Sequence, residues 1–334
     1  MLKQAYYSWL DSWDEQRARS GEVNKISSKF VVDTDRAFIG GGPSITDFCE
    51  HAERATGDPE FFVEPSGSVS DFMRVEDGIE FTSGLLSGVV ANDLANAKIT
   101  EGGSLGRALV VFHHWNATKR QSKLAKFLAK RGVTVVEMSM PYHFERSRPE
   151  SDYADYMLSA NLGRTLHSVR QAVIDGRKLI RWLKSEGYGE VSVMGMSLGS
   201  WVAGLIAAHD ANVSKASLFL TGGSLAEMVW TGRATRAIRE SFHTEISLEE
   251  LERAWSPLNL QNYAAEFARP GLNLQVVLAQ RDTVVLPSIS EQFLDRLDAA
   301  AVDYDLRRIN CGHYSLALPP HILIAGSKLY SLIR

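Results

Sequence analysis

A chain of 334 residues, 45% hydrophobic and 23% charged, can bury a large core, in one α/β domain with insertions or in two small domains. Its net charge is −4 with no strongly basic stretch, which argues against a phosphate-tracking nucleic-acid surface. Two cysteines, Cys49 and Cys311, make no disulfide framework, and no window approaches a membrane span, so a reducing, cytoplasmic setting is the simplest reading.

Around Met1 to Trp13, Lys3, Gln4, Asp11 and Asp14 interleave with Leu2, Tyr6, Trp9, Leu10 and Trp13. That spacing predicts an amphipathic helix ending near Ser20-Gly21, not an apolar signal segment. Its apolar face (Tyr6, Trp9, Leu10, Trp13) is expected to pack on the main domain. The alternatives are a homodimer contact or a flap over an active site. Gly40 to Pro43 breaks the chain, and Ser44 is placed to cap a short helix running to Ala55. Residues 1–77 thus read as a helical or irregular extension without evident chemistry.

Strands begin at Gly78. Ile79–Thr82 alternates, Ala97–Thr100 follows, and Ala108–His113 is a continuous apolar run of the kind buried on both faces. Gln121–Lys130 has helical spacing closed by Gly132, and Val133–Met138 is the next strand. Leu162–Glu186 reads as one long helix ahead of the strand Val191–Met194. Further strands are expected at Ala216–Leu220, Leu274–Leu278 and Tyr304–Ile309, with helices at Ser288–Leu297 and Leu323–Ile333. About eight strands, most separated by helices, imply a mostly parallel sheet covered on both faces, because parallel neighbours need crossovers. From Gly222 to Pro270 no strand is readable. Helical pieces at Leu225–Val229, Ala234–Phe242 and Ser247–Trp255, the last opened by Ser247 with Glu250, mark 222–270 as an inserted helical cap.

The chemistry centres on Gly195-Met196-Ser197-Leu198-Gly199, a G-x-S-x-G corner between a buried strand and the apolar run Trp201–His209. A strand-to-helix turn this sharp exposes the serine Oγ above the sheet, and its flanking glycines leave room for the crowded backbone. A serine nucleophile needs a base within hydrogen-bond reach and an acid to orient that base. On a parallel sheet both should follow strand ends. His313, in Cys311-Gly312-His313, follows Tyr304–Ile309, and Gly312 is expected to let the loop turn the imidazole back over the elbow. Asp282 follows Leu274–Leu278. Asp303 and Asp305 are alternative acids at the wrong end of a strand. Cys311 is an alternative nucleophile, set against the simpler reading of a buried small residue.

The order Ser197, Asp282, His313, each at a strand end, resembles the α/β-hydrolase superfamily in its esterase, lipase and dienelactone-hydrolase-like range, over roughly residues 78–334. The resemblance implies the α/β-hydrolase fold, with Ser197 as nucleophile, His313 as base and Asp282 as acid. It implies an oxyanion hole made by the backbone N–H of Leu198 and a second donor from His113-His114-Trp115-Asn116. Members of the superfamily usually place His-Gly first in that loop, and here His114 replaces the glycine. Trp115 is the expected second donor, with His114 or Asn116 as alternatives. Adjacent His113 and His114 in extended chain point to opposite faces, so no metal site is called for and His113 reads as a packed, hydrogen-bonded residue. No cofactor is called for either.

The cap and the loop Pro141–Asn161 should wall the pocket for a small-molecule acyl substrate, with His114, Tyr142, Met196, Trp230 and Arg233 as candidate lining. Arg233, Arg236 and Arg239 recur at helical spacing, which reads as a solvated basic face or as recognition of an anionic group. The expected activity is cleavage of a carboxylic ester through an acyl-enzyme. Acyl transfer or peptide cleavage on the same triad, or a non-catalytic binding protein on a hydrolase scaffold, are the alternatives. His313 must be neutral to accept a proton, so hydrolysis is expected to fall as pH drops below about 6 to 7. A rate independent of pH down to about pH 4 counts against the histidine base.

Overall fold

The computed structural model describes residues 2–22, 29–65, 71–151, 153–242 and 244–334. Met1 lies outside them, and the predicted amphipathic helix is α1 (Leu2–Glu22). Two more helices, α2 (Thr34–Ala37) and α3 (Ile45–Thr56), precede the sheet, and the Ser44 hydroxyl caps α3 by accepting the Asp47 N–H.

The sheet is built from β1 (Met73–Val75), β2 (Gly78–Thr82), β3 (Leu94–Thr100), β4 (Arg107–Phe112), β5 (Thr134–Met138), β6 (Glu190–Met196), β7 (Val213–Phe219), β8 (Asn273–Ala279) and β9 (Tyr304–Ile309). Their spatial order is β1-β2-β3-β5-β4-β6-β7-β8-β9. The pairs β1–β2, β2–β3 and β3–β5 are antiparallel, and the rest are parallel. The register aligns Phe112 with Gly195, Gly195 with Leu218 and Leu278 with Arg308. The carboxyl ends of β4, β6, β7, β8 and β9 therefore lie along one edge, where the loops that follow them converge.

Alternation within the buried strands separates two apolar layers. Ala108, Val110 and Phe112 of β4 pack with α6 (Leu162–Ser185), α7 (Leu198–His209) and α11 (Pro287–Ala299). Leu109 and Val111 pack with α5 (Ser122–Ala129) and α12 (His321–Ile333) on the other face. A short α4 (Val90–Asp93) leads into β3. Between β7 and β8 lie α8 (Leu225–Thr231), α9 (Arg236–Phe242) and α10 (Leu248–Ala254), and among the described residues 222–270 holds no strand. Ser247 and Glu250 form the expected capping box of α10.

Two expectations are corrected. The sheet has nine strands among the described residues, not eight, and it begins before residue 78. β1 is three exposed residues on an edge, too short to carry an alternating pattern. The packed stripe of α1 is also different: Leu10, Asp14 and Ala18 are buried, whereas Tyr6 and Trp9 are 38% and 53% exposed. A carboxylate takes the centre of that face, which a hydrophobic periodicity does not foresee.

The loop after β5 is pinned from beneath. Arg146 and Asp175 of α6 form an ion pair at 2.9 Å with both side chains fully buried. Asp175 also accepts the Ser83 hydroxyl and the Gly84 N–H, each at 2.8 Å, while Arg146 donates to the carbonyls of Asn92 and Ser139. Removing one member leaves an uncompensated buried charge. Asp175→Ala should destabilise the protein by about 3–5 kcal/mol in urea unfolding, and a paired apolar replacement, Arg146→Met with Asp175→Leu, should recover most of it.

Candidate active site

Ser197 sits between β6 and α7 at φ 54°, ψ −126°. Positive φ is costly for a residue with a Cβ and persists only where its surroundings enforce it. Here the Ser197 N–H donates to the Phe219 carbonyl at 2.9 Å. The Ser197 carbonyl accepts the N–H and hydroxyl of Ser200, at 2.7 and 2.6 Å. Both flanking glycines are required for space: a Cβ on Gly195 would overlap the Gly199 carbonyl, and one on Gly199 would overlap the carbonyls of Phe112 and His113.

The structure brings Ser197, His313 and Asp282 together. His313 Nε2 lies 3.1 Å from Ser197 Oγ, and His313 Nδ1 lies 2.7 Å from Asp282 Oδ2. In the tautomer that carries its proton on Nδ1, the imidazole donates to Asp282 and offers Nε2 to the serine O–H. The other carboxylate oxygen, Asp282 Oδ1, accepts the N–H groups of Val284 and Val285 at 2.8 and 2.9 Å, which fixes its rotamer. The loops after β8 and β9 are joined by the N–H of Gln280 to Ile309 and of Arg281 to Cys311, extending the ladder beyond the strands. All three side chains are nearly dry: Ser197 is 7% exposed, and the His313 and Asp282 side chains are 8% and 2% exposed. Asp305 lies elsewhere, bonded to Gln275 and Lys328. Cys311 is buried, and desolvation pushes its thiol up to about 12, so it is not a thiolate at neutral pH.

The loop after β4 is braced by the loop 141–161. Trp115 Nε1 donates to the Ala154 carbonyl at 2.9 Å, and the Asn116 side-chain oxygen accepts the Ala154 N–H. The Asn116 N–H donates to His143 Nε2 at 2.9 Å, which engages one of the three backbone donors considered for an oxyanion hole. Both nitrogens of His113 are bonded, Nδ1 to the His114 carbonyl and Nε2 to the Met140 N–H, so it is a packed loop residue with no nitrogen left for a metal. Burial holds the imidazoles of His113 and His114 below their ordinary range, and burial takes that of His143 down to about 3.

The remaining candidates are spread out. Tyr142 is buried, edge-on to Tyr156 at 5.4 Å, with its N–H on Asn92 Oδ1. Met196 packs with the apolar cluster beneath α5 and α12. Trp230 and Arg233 line a cavity of about 590 Å³ on the cap, together with Arg236 and Arg239. Arg233 also pairs with Glu15 at 3.1 Å, and its N–H donates to the Thr283 carbonyl beside the acid. Asp14 was not foreseen at all: it is buried against the His313 loop.

A family model described as Alpha/beta hydrolase domain containing 18 matches residues 113–238, from the end of β4 through the elbow into the cap. Acetyl xylan esterase 1 from Thermoanaerobacterium sp. is similar over 92% of this chain and 100% of its own, with a TM-score of 0.61 and 19% identity. An esterase of Pyrococcus furiosus is similar over 81% of this chain and 98% of its own (TM-score 0.52, 16% identity). A puromycin-hydrolyzing peptidase of Mycobacterium tuberculosis is similar over 71% of this chain and 36% of its own (TM-score 0.54, 14% identity). At such identities the likeness is one of fold. A second Mycobacterium tuberculosis protein, the uncharacterized Rv2627c, is 28% identical over 171 residues, 48% of this chain but only 37% of that relative's length. The chain has the α/β-hydrolase fold, and its residues 113–238 match the α/β-hydrolase family model. No helix among the described residues is long and apolar enough to cross a membrane.

The crowding at the elbow sets a test. Gly199→Ala drives a methyl into two carbonyls at once, so at least about 3 kcal/mol of stability should be lost, or the turn should shift with Ser197. Thermal unfolding together with amide hydrogen exchange across residues 195–200 distinguishes the two. An alanine variant with both properties unchanged would show that the turn has slack.

Proposed function

We propose that this protein is a serine hydrolase that cleaves carboxylic esters through an acyl-enzyme. The observation that carries this reading is the 3.1 Å approach of His313 Nε2 to Ser197 Oγ, with Asp282 2.7 Å behind the ring. Ser197 Oγ attacks the acyl carbon while His313 Nε2 takes its proton, and Asp282 orients the ring and stabilises the imidazolium. The developing oxyanion needs donors preset in a dry site. The Leu198 N–H opens α7, where the helix end favours negative charge. The engagement of the Asn116 N–H with His143 argues against that residue, and the N–H of Trp115 is the proposed second donor, with that of His114 as the alternative. His313 then returns the proton to the departing alcohol, and water, activated by the same imidazole, frees the acyl group. The two cysteines are free and buried, which suits a reducing, cytoplasmic setting.

A fluorophosphonate probe tests the nucleophile directly. Wild-type protein should be labelled, and Ser197→Ala should lose both labelling and hydrolysis, the latter by roughly 10⁴-fold or more. A folded wild type that resists the probe would sink the enzyme reading in favour of a binding protein on this scaffold. A panel of short and long acyl esters should include amides, since one structural neighbour is a puromycin-hydrolyzing peptidase.

A further inference from the structure

Nearly the whole catalytic constellation comes from the second half of the chain, yet a buried charge from residue 14 meets it. Asp14 is 3% exposed. Its Oδ1 accepts the N–H of Tyr314 at 2.7 Å and the N–H of Ser315 at 3.0 Å, the two residues directly after His313. Those two amides open the single 3₁₀ turn Ser315–Ala317, so the carboxylate caps that turn and completes the loop's hydrogen bonding. On the other side of His313, a Cβ on Gly312 would come within 2.5 Å of the Asp14 carboxyl carbon and Oδ2. The Gly312 N–H is held within the loop by the Ser315 hydroxyl at 2.8 Å. His313 thus sits between a glycine that makes room for Asp14 and two amides that Asp14 binds.

The rest of α1 keeps the carboxylate there. Leu10 and Ala18, four residues to either side, are buried on the same stripe. Asp11 pairs with Arg281 beside the acid, and Glu15 pairs with Arg233 at the edge of the cap. These two ion pairs are partly exposed and contribute little individually. Asp14 differs in being dry and in binding backbone amides, the setting in which a charge-assisted hydrogen bond constrains geometry most.

We propose that Asp14 is a positioning residue of the active site: acting from the N-terminal helix, it holds the 312–315 loop so that His313 Nε2 stays aimed at Ser197. The proposal rests on the serine-hydrolase reading for its kinetic consequence but not for its structural one. Two readouts separate them. The first is amide hydrogen exchange at Tyr314 and Ser315 in the full chain, which does not depend on activity. Asp14→Ala should raise exchange at these two amides by tenfold or more while strands β6 and β8 remain protected. The second is the kinetics of a p-nitrophenyl ester. Asp14→Ala should lower kcat by roughly 10- to 100-fold with KM within about threefold, because a misaimed base slows chemistry without altering substrate contacts. Asp14→Asn keeps a side-chain oxygen as acceptor and should recover part of the loss. Asp11→Asn, which breaks only the exposed pair with Arg281, should match wild type. If Asp14→Ala does not fold, Asp14→Leu, which removes the acceptor while filling the space, carries the test: unchanged exchange and an unchanged kcat in that variant, relative to wild type, overturn the proposal, as does a folded Asp14→Ala with wild-type exchange and kcat. A fall in activity through KM alone, or an equal fall in Asp11→Asn, assigns α1 to substrate access or general docking and likewise overturns it. Wild type that resists the fluorophosphonate probe removes the hydrolase reading, and the exchange result still decides the loop.

Discussion

The geometry of the site depends on one close contact, the backbone of β6 passing the first turn of α7 without a side chain between them. Gly195 faces the Gly199 carbonyl, and Gly199 faces the carbonyls of Phe112 and His113. The first contact makes the turn tight enough to hold Ser197 at positive φ. The second presses the same turn against the end of β4, where the loop 113–116 begins. The space between Ser197 and the loop 113–116 is therefore set by the crowding that strains the serine. A close-packed interior cannot relax one without moving the other.

Around that contact, backbone amides fix the side chains that have to be aimed. Asp282 is held by Val284 and Val285, and the loops carrying acid and base are joined by Gln280 and Arg281. The loop after β4 relies on uncharged histidines in the same way: Met140 donates to His113 and Asn116 to His143, and each ring must offer a bare nitrogen. Burial supplies that condition. With the His143 imidazole held down at about 3, protonation would break its bond to Asn116 only below about pH 4.

What could be read from the sequence, and what could not, follows from the range of the interactions. The apolar runs of β4, β5 and β6, the helix α6 and the glycine-flanked serine each carry a local signature, and the choice of Ser197, Asp282 and His313, which the structure brings together, follows from the rule that sites gather at strand ends. Gly312 has a role that no local pattern carries: its φ is not positive, and the Asp14 carboxyl occupies the space a Cβ would need. The contacts of the N-terminal helix are out of local range for a related cause. Its decisive contacts run from Asp11 to Arg281, Asp14 to Tyr314 and Ser315, and Glu15 to Arg233. No periodicity within 21 residues encodes partners more than 200 positions away, and a buried carboxylate looks in sequence like any exposed one. The edge strand β1 was invisible because three exposed residues alternate with nothing.

The same contacts alter the meaning of the basic face on the cap. Arg233, Arg236 and Arg239 do line one cavity with Trp230, but Arg233 faces Glu15, Arg236 faces Glu240, and Arg239 lies over the Trp230 ring at 5.8 Å. Much of the charge that the spacing announces is thus already matched. An anion arriving at Arg233 competes with Glu15, whose neighbour Asp14 is bound to the base's loop. Ser197, at 7% exposure, is not among the residues that line this cavity. The cap and the N-terminal helix are therefore coupled through adjacent carboxylates, Glu15 paired with Arg233 and Asp14 bound to the amides of Tyr314 and Ser315, so a charge change on one side bears on a helix that also touches the other.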